Sequence, residues 1–186
     1  MLSLKEKYKK EVVPRMMEEF GYKNPMAVPK IEKITVNSGF GRITSLKTST
    51  DKQKLVENVF QILSLITGQK PALRKARVSV SSFKLRKGMP IGAKVTLRGE
   101  RMYEFLEKMI WLVLPRSRDF RGIPLKSLDG QGNLTIGLKD YSPFLETKIS
   151  KDKSLFGLEI IITTTAKNNE EGRRLLSLLG FPFQKS

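Results

Sequence analysis

Leu4, Tyr8, Val12, Met16 and Phe20 recur every fourth residue between charged neighbours, which predicts a helix with one apolar face. Pro14 falls inside that pattern and is expected to kink or split the helix, and Gly21 to end it. After a connector holding Pro25 and Pro29, Ile31 to Val36 reads as a short strand. It runs into Asn37-Ser38-Gly39-Phe40-Gly41-Arg42, expected to be a flexible loop whose backbone can approach phosphate. A lone Gly-x-Gly after a strand is weak support for a dinucleotide site, because the third glycine is missing. From Asp51 onward, Leu55, Val59, Ile62, Leu63 and Ile66 follow helical spacing, and Gly68 closes the helix. Strands are expected at Pro71 to Ala76 and at Ile91 to Arg98. In the second, Ile91, Ala93, Val95 and Leu97 share one face, while Lys94, Thr96 and Arg98 share the other. Arg77 to Lys87 between them is expected to be a long, mobile, basic hairpin loop, of a length that in compact domains is usually functional or disordered.

Glu100 to Leu114 carries an apolar stripe of Met102, Phe105, Leu106, Met109, Ile110 and Val113, and Pro115 is expected to stop this helix. Residues 115–122 form a second basic loop and 129–133 a glycine turn, before a strand over Leu134 to Leu138. Tyr141 to Leu155 lacks periodicity and reads as a surface connection. Leu158 to Thr165 alternates and is β-branched, so a strand is expected there. Asn168 with Glu171 resembles a capping box ahead of a last helix that buries Leu175, Leu176, Leu178 and Leu179. With no repeat and no linker, the expectation is one α+β domain over residues 1–186. Its antiparallel sheet has helices on one face, an N-terminal helix over 1–21 and a protruding basic hairpin loop over 74–87.

Charge changes what that fold is expected to do. With 35 Lys and Arg against 18 Asp and Glu, the net charge is +17. The stretch from Gly68 to Gly99 holds Lys70, Arg74, Lys75, Arg77, Lys84, Arg86, Lys87, Lys94 and Arg98 and no acidic residue. Such a run repels itself unless a polyanion lies beside it, and a nucleic-acid backbone fits better than a solvated loop of mixed sign. The chain has no cysteine and no histidine, which removes disulfides, thiolate nucleophiles, the usual zinc ligands and Ser-His-Asp chemistry. No run is long and apolar enough for a membrane span, and the N-terminus lacks a signal-peptide core, so an intracellular protein is expected. No helix is rich in both Arg and base-reading amides. The cations fall on a strand face and in loops, which suits RNA rather than the DNA major groove. In this reading Arg42, Lys94 and Arg98 fix register on the backbone, while Asn37, Gln69 and Thr96 reach sugars or base edges. The alternative is a metal-dependent RNA-processing nuclease built on Asp119, Asp129 and Asp140, since Mg²⁺ needs only carboxylate oxygens. The blander role for these loop carboxylates is pairing with arginine or capping turns.

Several blocks resemble one family. They are Val28-Pro-Lys-Ile-Glu-Lys-Ile-Thr-Val-Asn37, Gly68-Gln-Lys-Pro71, Lys75-Ala-Arg77 and Pro90-Ile-Gly-Ala-Lys-Val-Thr-Leu-Arg-Gly-Glu-Arg-Met102, followed by Pro115-Arg-Ser-Arg-Asp-Phe-Arg-Gly122, Asp129-Gly-Gln-Gly-Asn133 and Ile162-Thr-Thr-Thr-Ala-Lys167. In this order, and over essentially the whole chain, they are similar to the bacterial ribosomal protein L5 family. The resemblance implies a non-enzymatic, cofactor-free role in the cytoplasm, in the central protuberance of the large ribosomal subunit. It implies 5S rRNA and large-subunit rRNA as partners, with neighbouring 5S-associated ribosomal proteins and no membrane. Carried over, the rRNA-binding positions are Asn37, Gly39, Gly41, Gln69, Lys70, Lys94 and Thr96, to which the charge reading adds Arg42 and Arg98. The hairpin loop, with Arg74, Lys75, Arg77, Ser79, Phe83, Lys84, Arg86 and Lys87, would reach P-site tRNA. The segment from about Lys139 to Lys153 would meet small-subunit protein S13. The chain departs from the family pattern at Ser38, Val78 and Ser82, and over Tyr141 to Phe156.

Overall fold

The computed structural model describes residues 3–45, 49–118, 120–149 and 156–184. The chain starts with α1 (Leu4–Lys7) and α2 (Val13–Phe20), joined through a π-helical turn over Tyr8–Val12. Ser3 and Glu6 make a reciprocal capping box at its start, and Gly21, at φ 70°, closes α2. The proline expectation therefore resolves into a wider turn. Pro14 has no N–H and its ring crowds the carbonyl four residues back, and the π turn lets the preceding Val13 N–H pair with Tyr8 instead.

Strand β1 (Ile31–Gly39) is followed by α3 (Gly41–Ser45) and α4 (Ser49–Thr67), then by β2 (Ala72–Lys75) and β3 (Pro90–Leu97). Next come α5 (Gly99–Lys108), a second π turn over Met109–Val113, and the short α6 (Leu114–Arg116). Pro115 thus sits inside one more helical turn before the chain extends at Ser117. Strands β4 (Leu134–Leu138) and β5 (Leu158–Thr164) precede α7 (Asn169–Leu179). The fold is α+β, with one five-stranded antiparallel sheet in the order β2-β3-β1-β5-β4.

Two sequence expectations need correction. Asn37, Ser38 and Gly39 belong to β1, not to a loop, and Gly41 and Arg42 open α3. Ser38 explains the extension, because its side chain is buried and donates to the Gly157 carbonyl at 3.0 Å. The expected surface connection from Tyr141 is also partly core, since Tyr141, Phe144 and Phe156 are all buried. The Tyr141 and Phe156 rings pack in a tilted arrangement, 4.8 Å between centroids.

The chain divides into two compact units, one of Met1–Ile34, Leu97–Ile136 and Ile161–Ser186, the other of Thr35–Thr96 and Gly137–Ile160. In the first, α1 packs on α5, and the first π turn packs on α7. Val12, Met16, Leu106, Met109, Leu175 and Leu176 are fully buried there. Tyr8 donates to the Pro29 carbonyl at 3.0 Å, and burial pushes its pKa up to about 12. In the second unit α4 packs on the 3-10 helix over Leu145–Ile149, and Val59, Ile62, Leu63, Ala93 and Phe144 are buried.

The last helix starts as its sequence predicts. Asn168 Oδ1 accepts from the Glu171 N–H at 2.9 Å, while the Glu171 carboxylate accepts from the Lys167 N–H at 3.0 Å. Asn168→Ala removes this cap and should lower stability by about 1 kcal/mol. Urea unfolding monitored by circular dichroism measures the shift, and an unchanged midpoint would show that the cap contributes nothing.

Candidate nucleic-acid interface

In the second unit the alternation of side chains leaves a polar sheet face. On β1, Asn37 is half-buried between buried Val36 and Ser38. On β3, Lys94 and Thr96 are half-buried between buried Ala93, Val95 and Leu97. Ala72 pairs with Lys94 and Arg74 with Gly92, so these β2 residues join the same face. Gly92 is needed because a Cβ there would meet the Ser38 carbonyl oxygen at 3.0 Å. At Gly41 a Cβ would crowd Ile91 at 3.3 Å, whereas Gly39 has open space around it.

Gln69 and Lys70 reach this face from the end of α4. Gly68, at φ 64°, reverses the chain, and its N–H caps the helix on the Ser64 carbonyl at 2.8 Å. The Gln69 side-chain amide then points at the Thr96 carbonyl at 3.5 Å, and Lys70 is exposed beyond it. The structure thus brings Asn37, Gln69, Lys70, Lys94 and Thr96 onto or beside one surface. Arg42 is exposed on α3. Arg98 falls in the first unit, where its guanidinium stands 3.5 Å from Glu32.

The basic loop between β2 and β3 has defined internal bonding. Ala76 is buried and closes its base, donating to Met89 at 2.8 Å and accepting from Gly88 at 2.9 Å. Val80 and Leu85 exchange backbone hydrogen bonds at 3.0 and 3.1 Å around a 3-10 turn over Ser81–Phe83. Ser79 Oγ accepts from the Lys87 N–H at 2.9 Å and so ties the two arms of the loop together. Phe83 is 68% exposed, and Lys84 beside it adopts a left-handed conformation at φ 52°. Arg74, Lys75, Arg77, Lys84, Arg86 and Lys87 are exposed and have no ion-pair partner among the described residues.

Two of the three carboxylates of the nuclease alternative, Asp129 and Asp140, do other work. Burial alone would push the Asp129 carboxyl up. Hydrogen bonds from the Asn133 amide (2.7 Å) and from the N–H groups of Gln131 (2.9 Å) and Asn133 (3.1 Å) hold it below the usual carboxylate range. Asp140 accepts from the Ser142 N–H at 3.0 Å, and Asp119 lies outside the described residues. Among the described residues no three carboxylates gather to hold a metal ion, and no helix is long and apolar enough to cross a membrane.

Sequence reasoning missed Glu159. It is exposed on β5 and accepts from Asn37 Nδ2 at 3.0 Å. The alternation of β5 placed it on the polar face, but nothing local tied it to Asn37.

Comparison with known proteins covers nearly all of this chain. Residues 24–86 match the family described as ribosomal protein L5, and residues 90–183 match the C-terminus of the same ribosomal family. The large ribosomal subunit protein uL5 of Dictyoglomus turgidum is 56% identical over 98% of both chains. Those of Alkaliphilus oremlandii and a Thermoanaerobacter species are 52% and 50% identical over the full length of both, or nearly so.

Proposed function

Because the chain belongs to the ribosomal protein L5 family, a structural and non-enzymatic constituent of the large ribosomal subunit, we propose that its polar sheet face docks 5S rRNA. The observation that carries this reading is the surface formed by Asn37, Lys94 and Thr96 with Gln69 and Lys70 at its edge. Amide and hydroxyl groups at fixed strand positions set a register that loose cations cannot, and the two lysines supply phosphate contacts. Gly39, with open space around it, lets backbone approach the RNA, while Gly41 packs against Ile91 to place Arg42, which adds charge beside it. Through this contact the protein anchors 5S rRNA in the central protuberance, next to large-subunit rRNA and other 5S-associated ribosomal proteins.

The basic loop takes a second RNA. Arg74, Lys75, Arg77, Lys84, Arg86 and Lys87 around exposed Phe83 suit the backbone and a flat base surface of P-site tRNA. The segment from about Lys139 to Lys153 meets small-subunit protein S13 across the subunit bridge. Binding to 5S rRNA and to an unrelated structured RNA of equal length, compared across a salt series, tests the docking surface. Preference for 5S rRNA is expected to survive at high salt. Equal affinities erased by salt, with a slope of about −0.7 to −0.9 per phosphate contact, would reduce the surface to a generic cationic patch.

A further inference from the structure

Glu159 is an acidic residue on a face otherwise suited to a polyanion, in a chain of net charge +17. By charge alone it opposes RNA binding. Its contact with Asn37 gives it another role. A carboxylate only accepts hydrogen bonds, so the 3.0 Å contact fixes which way the Asn37 carboxamide lies. Nδ2 faces Glu159, and Oδ1 is turned away. Among the described residues nothing donates to Oδ1.

The pair is set in place by backbone, since β5 lies next to β1 in the sheet and Ser38 Oγ donates to the Gly157 carbonyl at 3.0 Å. Without Glu159 the terminal torsion of Asn37 is soft and roughly two-fold, so amide nitrogen and oxygen exchange places readily. With Glu159 present the amide offers an acceptor to whatever docks. Phosphate, itself an acceptor, is the wrong partner for it.

We propose that Glu159 is a positioning residue, which orients Asn37 so that its carbonyl oxygen faces the RNA and accepts a hydrogen bond from a sugar 2′-hydroxyl or a base N–H. This rests on the reading that the face docks 5S rRNA. Asn37 is then a reader of RNA donor groups and not a phosphate contact.

The test is the sign of the Glu159 effect. Affinity for 5S rRNA is measured by fluorescence anisotropy for the wild type, Glu159→Ala, Glu159→Gln, Asn37→Ala and the double alanine variant. Glu159→Ala is expected to weaken binding about fivefold, the scale of one hydrogen bond, although it removes a negative charge. Glu159→Gln can donate as well as accept, so it no longer dictates the Asn37 orientation and should bind between the wild type and Glu159→Ala. In the Asn37→Ala background, removing Glu159 should cause no further loss. Unchanged or tighter binding by Glu159→Ala would show a bystander charge and overturn the proposal. Equal weakening in the Asn37→Ala background would also overturn it, because Glu159 would then not act through Asn37. A wild type without preference for 5S rRNA would remove the docking reading and this proposal with it. Transcripts with 2′-fluoro pyrimidines or 2′-fluoro purines, which lack the hydroxyl donor, separate the two donor sources. Loss of the Glu159→Ala effect in either assigns a 2′-hydroxyl, and persistence in both assigns a base N–H.

Discussion

Replacing both Lys70 and Lys94 with glutamine is expected to lower affinity for 5S rRNA about a hundredfold near physiological salt, at roughly 1.5 kcal/mol for each charge-assisted hydrogen bond removed. Glutamine keeps two of lysine's four methylenes and ends in a neutral amide, so the half-buried Lys94 position stays largely filled while its charge is gone. The dependence of log K on log salt should flatten by about 0.7 to 0.9 for each lysine removed. Folding stability should stay within about 0.5 kcal/mol of the wild type, because neither ammonium makes an internal ion pair among the described residues. Arg98→Ala is the internal comparison. Its guanidinium already stands by Glu32 at 3.5 Å, which offsets part of its charge, so its loss should weaken binding much less. Titrations of the three proteins against 5S rRNA over a salt series decide the matter. A Lys70/Lys94 variant with wild-type affinity and slope would mean that the RNA lies elsewhere.

What the sequence made visible depended on whether the signal was local. The helix α4 and its Gly68 terminus, the α5 stripe, the alternation of β3 and the Asn168 cap all lie within a few residues of their cause, and the structure places each as expected. The end of β1 was obscured because its open face needs no hydrophobic side chain. Asn37, Ser38 and Gly39 look like turn chemistry until the Gly157 carbonyl accepts the Ser38 hydroxyl from 119 positions away in the chain. Tyr141, Phe144 and Phe156 were hidden for a similar reason. They enter the core without any period, through irregular chain, so only the folded structure reveals that they are buried. The π turns before Pro14 and Pro115 differ from α-helix by one residue per turn, which an apolar stripe of ordinary spacing does not register. At the candidate interface, the residue types and the charge were legible, along with the strand face of Lys94 and Thr96. The partnership of Asn37 with Glu159 was not, since it joins strands far apart in sequence.

A helix glycine replaced with alanine ordinarily gains about 1 kcal/mol, and Gly172 in α7 is expected to do the opposite. A Cβ at Gly172 would fall on the backbone of Gly132, against its Cα and carbonyl group. That backbone has little freedom to retreat. The Gly132 N–H donates to Asn169 Oδ1 at 3.0 Å, its carbonyl accepts from the Thr164 hydroxyl at 3.0 Å, and the neighbouring Gly130 N–H donates to the same Asn169 oxygen at 2.9 Å. Gly132 itself sits at φ 76°, and a Cβ there would lie 2.7 Å from the Asn168 carbonyl oxygen, so no side chain fits on either side of the contact. Gly172→Ala must therefore push α7 off the 129–133 turn or break its hydrogen bonds, at about 3 kcal/mol, the upper range for overpacking a closed contact. For a chain of this size that lowers the melting temperature by roughly 6 to 12 °C. Gly137→Ala supplies the contrast, since a Cβ there meets nothing within 4 Å and the backbone is not left-handed. It should be neutral or stabilising by up to about 1 kcal/mol. Thermal and urea unfolding of both variants measure the difference. Equal stability of the two would show that the glycine contact closes without cost, and that α7 is held by its leucine face alone.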